Sequence, residues 1–480
     1  MKIIQEKNIL KENIDTAVIF AEKERFEEVA AKYDAVKEYV GSEYFDGDKA
    51  KKVSVPVLNG GKKIKYILSS VENDASVEDI LDAFGKVAKE FSSDKAKKVF
   101  VDISSTSIAD SEDKVIAALK GIYHGSYSFN KFFTEKSVEE PDEILFYSDG
   151  KVSEEVLNHA EAINESILLA KRLVDEPANI MTPKAIAKAA EESLKDSVVE
   201  TVVYRPEEIE NLGMTLFLSV AKGAEHEPRL IVMKYMGDPD SKEITGLIGK
   251  GLAYDTGGYS LKPTNYMASM KSDMGGAAAV IGAMNLIAYE KPKKNIIGVV
   301  ATCENRISGG AYLPGDIIKS MNGKTVEIGN TDAEGRLTLA DAMTYAIRKE
   351  GATKVVDICT LTGACVAALG EEYAGVVTKE DELWDKASKA AQSSLDACWR
   401  LPINKRIIDA NKSKVADLTN IGGQPGCETA GAFVGEFSEG LPWIHFDIAG
   451  TALVEKEKEY LRPGATGFGV HLLSELAKEL

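Results

Sequence analysis

The sequence predicts an α/β protein with two domains: a small amino-terminal α/β domain, and a larger domain in which helices cover both faces of a mostly parallel or mixed sheet. The chain has 480 residues, which is more than one ordinary hydrophobic core accommodates. Short β-rich runs alternate with amphipathic helical patterns along its length. Several runs in the second half are almost continuously apolar, as expected of strands that are covered on both faces.

The first domain is predicted to span residues 1–153. Runs of β-branched and aromatic residues favour strands, and apolar residues at three- to four-residue spacing favour a helix. The strands are Thr16–Phe20, Lys65–Ser69 and Lys98–Asp102, and the helix is Val77–Phe91. The charged stretch 139–154 contains Pro141 and Gly150, so we place the domain boundary there. The sequence of this domain contains no nucleophile motif, phosphate-binding loop or cluster of metal ligands.

A long helix, Glu154–Val174, is predicted to link the two domains within residues 154–178. It ends before Pro177, because the residue that precedes a proline is pushed out of the α conformation. The second domain is predicted to span residues 179–480. Its strands are Arg229–Tyr235, Ile244–Gly249, Asn295–Thr302, Thr325–Ile328, Lys354–Cys359 and Trp443–Ile448, and its clearest helices are Gly275–Tyr289 and Leu337–Lys349.

The composition narrows the class of protein. The chain has 76 acidic and 58 basic residues and a net charge of -18, which argues against a general nucleic-acid binder, since such a protein needs a basic face. Its amino-terminal charges are too closely spaced for a secretory signal, and no apolar run is long enough for a membrane span. Five cysteines are an odd number and indicate reduced thiols in the cytoplasm. The five histidines are scattered, which argues against an imidazole-based zinc site.

The most informative stretch is Asn330–Leu337, which places two carboxylates and a guanidinium in one turn. A second polar cluster lies upstream in a glycine-rich segment and comprises Lys250, Asp255, Lys262 and Asp273. Unpaired like charges a few ångströms apart cost several kcal/mol. The carboxylates therefore indicate a positive centre between them, and a pair of divalent metal ions is the natural candidate. The sequence predicts a metallohydrolase.

The predicted strands bring the two clusters together. Lys250 and Asp255 follow the strand that ends at Gly249, and Asp332 and Glu334 follow the strand that ends at Ile328. Ligands of open α/β sheets gather beyond the carboxyl ends of strands, so we expect these residues at one edge. Each also has a simpler interpretation alone: a helix N-cap for Asp273, a solvated side chain for Lys250, and an ion-pair partner of Glu334 for Arg336. The convergence of these residues on one edge of the sheet favours a metal site over the separate interpretations.

These motifs resemble those of the leucyl (cytosol) aminopeptidases, a family of dinuclear-metal enzymes. The octapeptide 330–337 matches the family signature in full. The other matching segments are Gly249–Gly251, Asp255–Gly258, Leu261–Pro263, Asp273–Ala278, Pro314–Asp316, Thr360–Ala364 and Asp447–Gly450. The resemblance extends from about residue 170 to the carboxyl terminus, whereas the first domain matches in size and general pattern only.

The resemblance implies two divalent metal ions per subunit, Mn²⁺ or Zn²⁺. One would be held by Asp255, Glu334, and the carboxylate and backbone carbonyl of Asp332; the other would be held by Lys250, Asp255, Asp273 and Glu334. It further implies that Lys262 stabilises the oxyanion and that Arg336 holds a bicarbonate that acts as general base. Removal of the first residue of a peptide would follow from binding of its terminal amine at this centre.

The resemblance also implies a side-chain pocket of small or apolar residues, comprising Met270, Thr360, Gly363, Ala449 and Ala452. Such a pocket would accept Leu, Met and other uncharged side chains. Each of these residues taken alone is equally consistent with an ordinary core position. By the same resemblance, the expected assembly is a homo-hexamer that acts on peptides in the cytoplasm.

Two other functions are compatible with parts of this pattern. Two-metal sites also serve phosphoesterases, which would hydrolyse phosphate esters and leave leucine p-nitroanilide intact. Alternatively, the first domain could bind nucleotide or DNA while the second forms a non-catalytic oligomeric scaffold. The acidic composition and the complete set of polar residues argue against the scaffold.

Overall fold

The structure is a computed structural model that describes residues 1–6, 13–59 and 61–480. It divides into two compact units. The first comprises Met1–Glu165 and Glu455–Gly464, and the second comprises Ser166–Val454 and Ala465–Leu480. Each unit has its own α/β sheet, so the predicted fold class is confirmed. The division falls inside the helix that the sequence predicts as the link between the domains.

The first unit contains a six-stranded sheet in the order β1-β6-β5-β2-β4-β3, in which β3 alone is antiparallel to its neighbour. Its strands are β1 Lys2–Glu6, β2 Thr16–Glu22, β3 Lys52–Asn59, β4 Lys62–Val71, β5 Lys98–Ser105 and β6 Glu143–Tyr147. Its helices are α1 Phe26–Lys32, α2 Val77–Ser93, α3 Glu112–Ser126 and the first half of α4 Glu154–Asp175, with 3₁₀ turns at Lys23–Arg25, Asp34–Val36 and Ile108–Asp110. The predicted elements of this domain are confirmed.

Local sequence explains where α2 begins and what it covers. Ser76 and Asp79 form a reciprocal capping box at its amino terminus, which satisfies backbone N–H groups that have no partner inside the helix. Phe84 on its buried face stacks on Phe20 of β2 with ring centroids 3.7 Å apart. The segment Glu455–Gly464 belongs to this unit because Arg462 donates hydrogen bonds to Gly125 O, at 3.0 Å, and to carbonyl and hydroxyl oxygens of α2.

The second unit is built on an eight-stranded mixed sheet in the order β15-β14-β17-β13-β9-β10-β8-β7, with a three-stranded sheet, β11-β12-β16, and a pair, β18-β19, beside it. Its longer strands are β7 Glu200–Tyr204, β8 Arg229–Met236, β9 Thr245–Asp255, β10 Asn295–Asn305, β13 Lys354–Cys359, β14 Ala374–Val377 and β17 Trp443–Asp447. Its shorter strands are β11 Ile317–Lys319, β12 Thr325–Glu327, β15 Cys398–Arg400, β16 Leu418–Thr419, β18 Leu453–Val454 and β19 Gly464–Ala465.

Helices of the second unit connect and cover these strands. They are the second half of α4, α5 Pro183–Leu194, α6 Pro206–Asn211, α7 Thr215–Ala221, α8 Thr264–Met267, α9 Gly275–Glu290, α10 Gly335–Arg348, α11 Gly363–Leu369, α12 Asp381–Ser394, α13 Lys405–Asp409, α14 Gly426–Gly435 and α15 Val470–Glu479, with a 3₁₀ turn at Met270–Ser272. Within the described ranges, no helix combines the length and the apolar character that a bilayer crossing requires.

The central strand β9 carries α9 on one face and α10 on the other. A Cβ at Gly249 would meet the backbone of Gly276 in α9, at 2.7 Å, whereas a Cβ at Gly246 would meet Ala346 in α10, at 3.6 Å. Successive strand residues point to opposite faces, so helices cover both faces here, as predicted. The side chain of Lys250 shares the face of Gly246 and points toward α10.

Two predicted details of this sheet are wrong. The strand predicted to end at Gly249 continues to Asp255, because β9 stays paired with β10 as far as the pair Asp255 and Asn305. Gly249 lets α9 approach the strand, and Gly251 packs against β10, so neither glycine marks a turn. The strand before Asp332 is β12, which belongs to the separate three-stranded sheet. Asp332 and Glu334 therefore reach the site from a neighbouring sheet and not from the edge that carries Asp255.

Candidate metal centre

Lys250 joins two of the predicted carboxylates. Its Nζ lies 2.8 Å from Asp273 Oδ1 and 3.0 Å from Glu334 Oε1, and it donates to Thr360 O at 2.8 Å. All three charged side chains are buried. Asp273 does not cap α9, which begins at Gly275 with Met274 as its N-cap and without a side-chain cap. The N-cap and solvated-lysine interpretations are therefore wrong for Asp273 and Lys250.

Lys262 joins the other two carboxylates. Its Nζ lies 2.9 Å from Asp255 Oδ2 and 2.6 Å from Asp332 Oδ1. Asp255 is buried, whereas Asp332 is about one-third exposed, so this end of the cluster opens toward solvent. The structure thus brings all five predicted metal ligands and Lys262 into one cluster. In it, the two ammonium groups partly neutralise the four carboxylates.

Neutral side chains that the sequence analysis did not single out hold these carboxylates in place. Asn305 Nδ2 donates to Asp255 Oδ1 at 2.8 Å and to Thr331 O at 2.9 Å, and so ties β10 to both acidic segments. Thr360, predicted only as a pocket residue, donates its hydroxyl to Asp273 Oδ1 at 2.8 Å. The position of Asn305 at the polar end of the buried strand β10 is the signal that could have revealed it.

Two glycines make room for this geometry. A Cβ on Gly335 would lie 2.4 Å from Lys250 Cε, so the lysine side chain passes directly over the first residue of α10. Gly257 has a φ of +85°, and a Cβ there would lie 2.8 Å from Asp332 Oδ1. Because L side chains rarely adopt that backbone conformation, Gly257 lets the chain turn beside the cluster.

The electrostatics show a surplus of negative charge. Burial, opposed in part by Lys250, raises the pKa of Asp273 to about 8. Burial and the Asp255 carboxylate raise the pKa of Glu334. Burial lowers the pKa of Lys250, but the adjacent carboxylates raise it more, so that it stands well above its ordinary value. The cluster would therefore be stabilised by further positive charge.

The donor atoms suit a divalent metal ion. Oxygen atoms of Asp255, Asp273 and Glu334 lie within 4.8 Å of one another. Asp273 Oδ2 and Glu334 Oε2 are buried and accept no hydrogen bond from the described residues. Buried polar atoms normally have a partner, and carboxylate oxygens are the ligands that hard divalent cations prefer. The residues present thus fit metal ions.

Arg336 is buried in the first turn of α10, where its Nη1 donates to Asn420 O at 2.7 Å. Among the described residues it forms no ion pair with Glu334 within 4.0 Å, and its Nε has no hydrogen-bond partner. The simpler interpretation, an ion pair with Glu334, is therefore wrong. Burial lowers the pKa of Arg336, while Glu334 and Asp447 raise it in part. A guanidinium with a spare donor could bind a small anion.

The predicted pocket residues are partly brought together. A Cβ on Gly275 would lie 3.3 Å from both Ala452 Cβ and Thr360 Cγ2, so these two side chains converge on the start of α9. The others lie on three further segments: Met270 in the 3₁₀ turn before α9, Gly363 at the start of α11, and Ala449 after β17. Thr360 connects the pocket to the carboxylate cluster through its bond to Asp273.

Comparison with known proteins assigns the family. The family model described as "Cytosol aminopeptidase family, catalytic domain" matches residues 168–474, and the model described as "Cytosol aminopeptidase family, N-terminal domain" matches residues 17–136. The chain belongs to the cytosol aminopeptidase family. The prediction from the motifs is thereby confirmed. The amino-terminal domain resembles the family more closely than the sequence analysis held.

Curated relatives match most of this chain. A protein of Clostridium perfringens named probable cytosol aminopeptidase is 46% identical over 416 residues, which are 85% of this chain and 84% of the relative. The protein of the same name from Clostridium tetani is 41% identical over 468 residues, 96% of each chain. That from Bacillus subtilis is 38% identical over 437 residues, 89% of this chain and 87% of the relative.

Membership of the cytosol aminopeptidase family establishes the enzyme class. The protein is a metal-dependent aminopeptidase, a hydrolase of the leucyl aminopeptidase type that acts on peptides. The predicted enzyme class is confirmed, and the phosphoesterase and scaffold alternatives are set aside. The region that matches the catalytic model includes every residue of the carboxylate cluster.

Proposed function

We propose that this aminopeptidase removes amino-terminal Leu, Met and other uncharged residues from peptides, through a metal-activated water at the carboxylate cluster. The observation that carries the proposal is the buried arrangement of Asp255, Asp273 and Glu334, with two carboxylate oxygens that accept no hydrogen bond from the described residues. Such atoms are costly to bury unless a cation binds them.

Two ligand sets account for all of the acidic residues. Asp255, Glu334, and the carboxylate and backbone carbonyl of Asp332 would hold one ion; Lys250, Asp255, Asp273 and Glu334 would hold the other. Divalent Mn²⁺ or Zn²⁺ in these sets would lower the pKa of water and polarise the scissile carbonyl. As a ligand, Lys250 must be neutral, so its proton has to leave when the second set is filled.

The remaining polar groups would act on the substrate or hold the carboxylates in place. Lys262 lies at the half-open end of the cluster, where its ammonium group can donate to the oxyanion that develops on the substrate carbonyl. Arg336, with its spare Nε donor, would hold a bicarbonate that acts as general base, as the family resemblance implies. Thr360 and Asn305 keep Asp273 and Asp255 in fixed orientations through the bonds described above.

Specificity for uncharged side chains would come from the pocket. Met270, Thr360, Gly363, Ala449 and Ala452 offer no charged group to a substrate side chain. A pocket without a countercharge disfavours Asp, Glu, Lys or Arg, because the desolvation of their charged groups would not be compensated. Kinetics with a panel of aminoacyl p-nitroanilides tests this, and equal kcat/KM for leucyl and glutamyl substrates would contradict it.

The central experiment combines a metal count with activity. The protein is stripped with a chelator, reloaded with Mn²⁺, and assayed with leucine p-nitroanilide. We expect two ions per chain and restored hydrolysis, with loss of both on Glu334→Ala. Glu382→Ala serves as matched control, because Glu382 is a surface residue with a side chain that is 83% exposed. Full activity of metal-free protein, or of Glu334→Ala, would overturn the proposal.

We further propose that the enzyme works as a homo-hexamer in the cytoplasm, as family resemblance implies. Light scattering combined with activity at decreasing protein concentration tests the assembly. We expect activity to fall as the assembly dissociates; an active dilute monomer would contradict the hexamer. Fractionation of the source cells would test the location.

A further inference from the structure

A group of side chains of the types that can bind metals lies apart from the carboxylate cluster and shares no residue with it. The thiols of Cys365 and Cys427 and a carboxylate oxygen of Asp447 all lie within 4.8 Å of one another and are buried. Cys427 Sγ lies 3.6 Å from Asp447 Oδ2, and Cys365 Sγ lies 3.5 Å from Asp447 O. Two sulfur atoms and one carboxylate thus meet at one point.

The fold holds these groups in position from three elements. Cys365 lies in the first turn of α11 and Cys427 in the first turn of α14, while Asp447 ends β17. Both sulfur atoms converge on Gly375 of β14, where a Cβ would lie 2.8 Å from Cys365 Sγ and 3.3 Å from Cys427 Sγ. The thiols therefore face each other across the space that the missing side chain leaves.

Asp447 is fixed independently of the thiols. Its Oδ1 accepts hydrogen bonds from the backbone N–H groups of Leu361 and Ala449, both at 3.1 Å, and its Oδ2 accepts one from the Thr362 hydroxyl at 2.7 Å. A carboxylate held in this way is a preorganised ligand, since little ordering remains to be done when an ion binds.

We propose that Cys365, Cys427 and Asp447 form a third metal site, which takes a thiophilic divalent ion such as Zn²⁺ or Cd²⁺. Thiolates select such ions, whereas the all-oxygen and amine ligands of the catalytic cluster also suit harder ions. Metal–sulfur bonds of about 2.3 Å at tetrahedral angles place two thiolates on one ion roughly 4 Å apart, which is compatible with the observed spacing. The nearby guanidinium of Arg336 interacts electrostatically with Asp447 and Cys427 and would balance the remaining negative charge.

Binding would exchange protons for the ion. The S–H bonds of Cys365 and Cys427 break, two metal–sulfur bonds form, and two protons pass to the buffer for each ion bound. The hydrogen bond with Cys365 and burial both raise the pKa of the Cys427 thiol, so the Cys427 proton is present on the free protein near neutral pH. The bound ion would link α11, which begins at the pocket residue Gly363, to α14.

Cadmium reports such a site directly, because sulfur-to-cadmium charge transfer absorbs in the near ultraviolet and oxygen ligands give no such band. The full-length protein, loaded with Mn²⁺ and kept reduced with a phosphine, is titrated with Cd²⁺ while absorbance and proton release are recorded. We expect a charge-transfer band that saturates at one Cd²⁺ ion per chain. Two protons should be released per chain over the same range of added Cd²⁺ in which the band grows.

Variants locate the signal. Cys365→Ser and Cys427→Ser should each abolish the saturable band, while Cys398→Ser, which removes a buried thiol of β15, should retain it. The result in unsubstituted protein also stands alone, so a variant that fails to fold leaves the test intact. Absence of the band there, or its persistence in Cys427→Ser, would overturn the proposal. Neither outcome bears on the two catalytic ions, because none of the three residues belongs to their ligand sets.

Discussion

Asn305 is the strongest test of how the protein arranges its carboxylates. Its amide Nδ2 donates to Asp255 Oδ1 and to Thr331 O, and its side chain is fully buried. In Asn305→Ala, the lost hydrogen bond to a charged group costs about 1.5–3 kcal/mol. Thr331 O keeps the Tyr312 hydroxyl as donor at 2.9 Å. Loss of the second bond therefore costs less free energy than it would if the Thr331 carbonyl were left without a donor.

The larger effect should fall on metal affinity. Groups that orient a metal ligand typically contribute 10- to 100-fold in affinity or activity. Asp255 is proposed to belong to both ligand sets, so its misorientation weakens both ions. We expect Asn305→Ala to bind Mn²⁺ about 10- to 100-fold more weakly in competition with a chelating dye. When metal is added to saturation, kcat should return toward the value of the unsubstituted protein, although the metal affinity of the variant stays lower.

The matched control is Asn295→Ala. Asn295 is buried at the other end of the same strand, β10, where its Nδ2 donates to Asp238 O at 2.8 Å. Urea unfolding of metal-free protein should show that both variants lose stability, whereas only Asn305→Ala should lose metal affinity. Equal metal affinity in the two variants would refute the reasoning, because it would mean that Asp255 holds its position without Asn305.

Three further predictions test the pocket, the first unit and the metal. Gly275→Ala places a methyl group 3.3 Å from Thr360 Cγ2 and should raise KM for leucyl more than for alanyl p-nitroanilide; an equal change for both would count against the pocket. Burial raises the pKa of Glu90, but Lys52, Lys65 and a serine hydroxyl lower it to about 2. This carboxylate therefore stabilises the fold above about pH 4.5, by about 1–2 kcal/mol after allowance for its partial exposure, and this contribution is lost as the pH falls toward 2. In Glu90→Gln, the free energy of unfolding measured with urea should depend less on pH between 5 and 2 than in the unsubstituted protein. Removal of metal with a chelator should lower the melting temperature by mass action, and an unchanged value would contradict binding to the folded state.

The sequence predicts most of the fold because the periodic patterns are long and well punctuated. The helix predicted as Glu154–Val174 extends over Glu154–Asp175, and the one predicted as Gly275–Tyr289 extends over Gly275–Glu290. The prediction fails at β9, where Gly249 and Gly251 suggest a turn although the strand continues. Glycine permits both a turn and a close approach of another backbone, and only the tertiary structure distinguishes these uses.

The sequence predicts the charged residues of the candidate site but not the neutral residues that hold them in place. Charged residues in short motifs, such as Asp332 and Glu334, can be recognised from the sequence because closely spaced carboxylates repel each other and need a positive partner. Asn305 and Asn420 do not, because a single amide on a strand or loop has many ordinary uses. Their roles depend on contacts between residues far apart in sequence, such as the bonds that Asn420 Nδ2 donates to Asn330 O and Ala333 O, which a local pattern does not encode.

The two lysines change how the cluster must be understood. The sequence suggests that four crowded carboxylates require metal ions to coexist, yet Lys250 and Lys262 each pair with two of them at 2.6–3.0 Å. These pairs offset part of the repulsion, so the fold can form before metal binds. They do not complete the neutralisation, since two ammonium groups face four carboxylates. A site with this residual charge is already shaped for cations, and the ion that displaces the proton of Lys250 gains carboxylates that need no large rearrangement.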